Sequence, residues 1–70
     1  MIPSTQAVLV YREGTDHPDS IPWGNIYEDF KHDPDWLQEV ETALADHGIW
    51  ERAGGRDGIL RITESRIWQE

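Results

Sequence analysis

The sequence predicts a small α+β domain of order β-α-α-β-β, with an optional last β, whose antiparallel sheet packs against two helices. Three observations lead there. A run rich in β-branched and aromatic residues stands near the start, two middle stretches place apolar residues at helical spacing, and a glycine-rich joint links two short apolar segments near the end. No repeat, low-complexity tract or linker interrupts the 70 residues, so a single domain over 1–70 is expected.

Residues 6–12 (Gln-Ala-Val-Leu-Val-Tyr-Arg) suit a first strand, with apolar side chains at both parities as in a strand covered on both faces or nearly so. Residues 14–20 read as a loop by composition, with Pro18 fixing the backbone and Asp and Ser offering local hydrogen bonds. Ser20 or Asn25 is the candidate cap of a first helix, on which Trp23, Ile26, Tyr27 and Phe30 fall at i, i+3, i+4 and i+7. Gly24 weakens its first turn. The second helix is delimited at both ends: Asp33 is a good N-cap, Pro34 fits the first helical position and Gly48 sits where a C-cap glycine belongs. Trp36, Leu37, Val40, Ala43, Leu44 and His47 cluster on one of its faces, opposite Asp35, Glu39, Thr42 and Asp46, with Glu41 to one side. Residues 49–52 and 59–63 are two further strand candidates, joined as a hairpin by Ala-Gly-Gly-Arg-Asp-Gly. Residues 66–69 could add a third strand or a docked tail, since Ile67 and Trp68 need cover.

The core has to come from few large side chains. Seven aromatics, four of them Trp, together with scattered Ile, Leu and Val can close one small core with little left over. Each Trp is therefore expected to be mainly core. No cysteine is present, so no disulfide assists the fold and nothing points to an oxidising compartment. The N-terminal stretch lacks the basic lead and long apolar run of a signal peptide, and the longest apolar stretch, 7–11, is too short to span a bilayer. A cytoplasmic protein without membrane contact is expected.

Charge is distributed unevenly. Eleven carboxylates and one lysine lie between Glu13 and Glu51, whereas Arg12 precedes them and Arg52, Arg56, Arg61 and Arg66 follow against Asp57, Glu64 and Glu70. The middle thus carries −10 and each flank +1, giving the net −8. Such a field repels nucleic acid and anionic membrane and attracts basic surfaces. Two helices followed by a hairpin invite a winged-helix reading, but a DNA-reading helix needs Lys or Arg where this one carries Asp35, Glu39, Glu41 and Asp46. Direct nucleic-acid binding is not expected.

Neither a metal site nor catalysis finds a pattern. Glu28 with His32, and Asp16 with His17 and Asp19, match no established ligand spacing. Ser4, Ser20 and Ser65 stand in no nucleophile-elbow context, and the glycine-rich joint lacks the strand–Gly-rich–Lys–helix order of a phosphate loop. The expectation is a non-enzyme without cofactor or metal.

What remains is recognition of protein. The acidic face centred on Asp35, Glu39, Glu41 and Asp46, with Glu28, Asp29 and Asp33 beside it, is the candidate binding site for a protein with a basic, nucleic-acid-binding surface. In size and charge, and in no motif, the chain resembles the small acidic inhibitors of nucleic-acid-handling machinery that phages and mobile elements encode, anti-CRISPR and anti-restriction proteins among them. That resemblance implies inhibition by covering the target's groove, with carboxylates standing in for phosphates. Duplex DNA carries one charge per roughly 1.7 Å of axis, so one helix cannot match it without loop acids such as Glu13, Asp16 and Asp19. The alternative is an aromatic-anchored accessory or immunity-type protein in which Trp23, Trp50 or Trp68 carries the binding and the acids only solubilise. A lesser one is a small metal-binding domain using His17, His32 and nearby carboxylates. The arginines of the last third could pair with the chain's own acids, the simpler account, or with a second copy to give a homodimer.

Overall fold

The computed structural model describes residues 2–64, with the backbone alone for 54–56. Six elements follow in the order β1 (Ala7–Arg12), β2 (Asp19–Pro22), α1 (Trp23–Phe30), α2 (Pro34–His47), β3 (Ile49–Arg56) and β4 (Ile59–Glu64). The strands form one antiparallel sheet of order β2-β1-β4-β3, with both helices against one face. The α+β architecture expected from the sequence is the one present, with one strand more ahead of the helices. The strand or tail expected over 66–69, and Trp68 with it, lies outside the described residues.

Alternation along β1 fixes the two sides of the sheet. Val8 and Val10 are wholly buried and pair with Glu64 and Ile62 of β4, while Ala7, Leu9 and Tyr11 turn half-covered to the other face. Trp50 of β3 pairs with Ile62 and so joins the helix-facing side. Against it α1 places Trp23, Ile26 and Phe30, and α2 places Trp36, Leu37, Val40 and Leu44, all buried. Phe30, Trp36 and Trp50 form a continuous aromatic row, with centroids 4.5 Å and 5.5 Å apart and the second contact edge-on. Several expected core positions are not in the core. Because the helices cover one face of the sheet only, Leu9, Tyr11, Ile49 and Leu60 are half-buried and β1 is not covered on both faces. Tyr27 is 49% exposed, and His47, the last residue of α2, is exposed where the helix outruns its cover.

The strand missed in the sequence is β2. Its four residues, Asp-Ser-Ile-Pro, were read as loop and helix approach because only Ile21 is apolar and Pro22 removes a donor. Backbone pairing with β1 alone makes it a strand, at the sheet edge where Pro is tolerated. The hairpin joint is also tighter than its composition suggests. β3 continues to Arg56, and the turn reduces to Asp57 and Gly58 with φ of 50° and 82°, the left-handed pair that a two-residue hairpin loop demands. The additional residues are taken up where the β3–β4 register shifts between Glu51 and Arg56.

Neither Ser20 nor Asn25 caps α1. Pro22 holds the cap position without a side-chain bond, and the N-terminal segment supplies the missing acceptors: Trp23 donates to the Gln6 carbonyl and Gly24 to the Ser4 carbonyl, each at 2.8 Å. That close approach is why position 24 has no side chain. A Cβ there would lie 3.0 Å from the Ser4 Cβ and 3.1 Å from its carbonyl oxygen. The second helix is capped as its sequence predicts, with the Asp33 carboxylate accepting from the Trp36 amide at 3.3 Å and the Gly48 amide donating to the Leu44 carbonyl at 2.9 Å. Gly24→Ala should therefore destabilise the domain by about 1–2 kcal/mol through overpacking, although Ala favours a helix. Asn25→Ala, one residue on and exposed, should stay within about 0.5 kcal/mol in the same thermal-unfolding comparison.

Candidate functional site

The expected acidic face divides into parts with different roles. At about 100° per residue, Asp35, Glu39 and Asp46 share one flank of α2, whereas Glu41 lies on the flank that turns towards α1 and the N-terminal segment. Asp35 and Asp46 are exposed and stand about 16 Å apart along the axis. They line, with Glu39, Thr42 and His47, a shallow depression of about 440 Å³. Glu41 is half-buried, and with Glu28 it borders a second depression of about 330 Å³ whose walls include Ile2, Trp23 and Tyr27. Asp29 is exposed on α1 and lines neither.

Two of the seven expected site residues are structural. Asp33 is the cap of α2. Glu39 sits nearest the apolar stripe of all the ridge acids, and its carboxylate is held rather than free. The indole N–H of Trp50 donates to Glu39 Oε2 at 2.7 Å, and Arg52 Nη2 bonds both Glu39 oxygens at 3.0 and 2.9 Å. The Arg52 guanidinium also lies 5.9 Å from the centroid of the Trp50 ring. This carboxylate, indole and guanidinium staple α2 to β3 across eleven residues of sequence, a separation at which no local pattern announces a pair.

The same accounting covers the other cations. Arg12 approaches Asp19 at 3.8 Å, Lys31 pairs with Glu28 at 3.1 Å, and Arg61 pairs with Glu51 at 3.1 Å while covering the Tyr11 ring at 5.2 Å. Every Lys and Arg side chain described is thus engaged by one of the chain's own carboxylates. Internal pairing of Arg52 and Arg61, the simpler expectation, is what the fold contains. Arg12, Arg52 and Arg61 do border one depression on the uncovered sheet face, of about 690 Å³, yet each brings its own counter-charge. Asp29, Asp35, Glu41 and Asp46 have no such partner among the described residues. Of the tryptophans named as anchors, Trp23 and Trp50 are 2% and 3% exposed and belong to the core. Among the described residues the exposed large aromatic is instead Tyr27. Helical spacing puts Tyr27 and buried Ile26 on the two sides of the α1 stripe alike, so no sequence signal set Tyr27 apart.

No protein-family model matches this chain, and no curated protein or solved structure is significantly similar to it. Its chemistry has to be read from these side chains. Among the described residues no three His, Asp or Glu gather as a cation site, and no helix is long and apolar enough to cross a membrane.

Removing the Glu39 carboxylate should cost about 1–2 kcal/mol in urea unfolding, because the buried indole of Trp50 loses its acceptor. Arg52→Ala should cost less than about 1 kcal/mol, since its side chain is 48% exposed and an ion pair so hydrated contributes little. Equal, small effects from both substitutions would refute the staple.

Proposed function

We propose that this protein acts by binding another protein, covering a basic, nucleic-acid-binding surface with the acidic side of α1 and α2. One observation carries the reading. The cations described are consumed by internal pairs, and four of the carboxylates left over, Asp29, Asp35, Glu41 and Asp46, stand on the two helices, with Glu13, Asp16 and Asp57 in loops. Self-repulsion among them costs stability in a domain with a small core, and a complementary surface offsets it. The mechanism is steric and electrostatic exclusion of nucleic acid from its groove, as in the phage-type inhibitors, anti-CRISPR proteins among them, that the chain resembles in size and charge. With Glu39 neutralised by Arg52, the ridge falls further below the charge density of a duplex. The reading is therefore docking on a basic surface more than close imitation of a phosphate backbone. Association should be fast and salt-sensitive.

Asp35→Lys combined with Asp46→Lys is the variant that tests this, since Glu39 is compromised by its structural duty. In a nuclease-treated lysate of the source cells, the unmodified protein should retain a nucleic-acid-binding protein that duplex DNA displaces. The variant should retain it roughly ten-fold less or not at all, with an unchanged melting temperature. Equal retention by both, or a complex that resists both high salt and competing duplex, would overturn the proposal.

A further inference from the structure

We infer that the depression between Tyr27, Glu28 and Glu41 is an anchor site for a single arginine side chain presented by a protein partner. The inference rests on the proposed binding of a basic protein and assigns the contact that holds it. Tyr27 is the large hydrophobic residue left exposed among those described, at 49%. It lines, together with buried Trp23 and Ile2, a cup of about 330 Å³. Glu28 and Glu41 line the cup from different helices. Glu41 of α2 is half-buried and has no partner among the described residues. Glu28 of α1 is held by Lys31, but both side chains are more than 60% exposed, and such a pair is readily exchanged.

Each part matches one feature of arginine. The planar cation stacks on an exposed aromatic ring, the three-carbon stem covers apolar surface, and the fork of N–H donors can serve two carboxylates at once. A carboxylate would be repelled there, and a neutral side chain would leave Glu41 uncompensated as the contact closes. Lysine supplies the charge without the flat face. The depression beside Asp35 and Asp46 is lined by no Trp, Tyr or Phe, so it can steer a basic surface but lacks the aromatic and apolar lining of the cup. The sheet-face depression already holds guanidinium groups with their own acids. Steering by the ridge and anchoring by the cup are thus separate contributions with separate residues.

The test uses the full chain, isotope-labelled, and the peptide N-acetyl-Gly-Arg-Gly-amide, with lysine and citrulline counterparts. Saturable amide shifts are expected at Trp23, Gly24, Tyr27, Glu28 and Glu41, stronger for arginine than for lysine and nearly absent for citrulline. Tyr27→Ala should weaken the arginine peptide about two- to five-fold, the range of an exposed cation–π contact, and Tyr27→Phe should preserve it. Glu41→Gln should weaken it similarly and supplies the readout if Tyr27→Ala proves unfolded. Equal shifts with citrulline, or shifts confined to residues 35–46, would overturn the site. Partner capture separates the two proposals. Loss of capture in the Asp35/Asp46 variant but not in Tyr27→Ala sinks the anchor and keeps the acidic face, whereas capture unchanged in both sinks the acidic face and leaves the peptide titration to decide the cup.

Discussion

Trp50 is the point at which the strands, the core and the acidic surface meet. Its ring fills the helix-facing side of β3, stands edge-on to Trp36, and continues the aromatic row to Phe30. Its one polar atom cannot remain unsatisfied in that position without a penalty of about 1–3 kcal/mol. The Glu39 carboxylate meets that demand and is itself held in place by Arg52. Because the sheet has helices on one face only, an edge strand such as β3 has few other ways of being fixed against α2. The staple therefore ties α2 to β3 and decides which of the helix's acids remain available.

That constraint explains the division of labour along α2. The apolar stripe seats the helix, the flank towards β3 supplies Glu39 to the staple, and the opposite flank turns Glu41 towards α1 and the N-terminal segment. The N-terminal segment has its own duty there, since the carbonyls of Ser4 and Gln6 take the place of a side-chain cap on α1. Gly24 allows the close approach, and the same approach brings Ile2 beside Trp23. The cup lined by Tyr27 is thus a by-product of how the first helix starts. Its aromatic, apolar and acidic lining comes from three separate segments of chain.

Much of this was legible in the sequence, and what was not has a physical reason. The second helix announces both of its ends because capping is local: Asp33, Pro34 and Gly48 act on backbone groups within a turn of themselves. The buried faces of β1 and α2 follow from periodicity. By contrast, β2 is a strand only because β1 offers it a ladder, and a four-residue edge with Pro in it has no pattern of its own. The role of Glu39 depends on a partner eleven residues away on another element, so on helical spacing alone it was indistinguishable from Asp35 and Asp46. Tyr27 was assigned to the core because a stripe of four residues has no obvious rim until the packing partner sets its width. Of the seven expected acids, Asp33 and Glu39 have structural duties and Glu28 pairs with Lys31, while Asp29, Asp35, Glu41 and Asp46 have no partner among the described residues.

The distribution of counter-charges bears on how such a chain can be both foldable and strongly acidic. Ion pairs at the surface contribute at most about 1 kcal/mol each, so the pairs of Arg12, Lys31, Arg52 and Arg61 do not hold the fold together by their number. Their effect is on the field. Three of the four lie on strands and bring the sheet near neutrality, which lets β1, β3 and β4 pair without like-charge repulsion across the ladder. Four of the uncompensated carboxylates fall on helices, where side chains point outward, water screens them, and the backbone hydrogen bonds do not depend on a neighbouring strand. Glu13, Asp16 and Asp57 lie in exposed loops off the sheet. A chain of this size can therefore carry its excess charge on α1 and α2 at less cost than on its sheet. A partner that approaches from the helix side meets that excess undiluted.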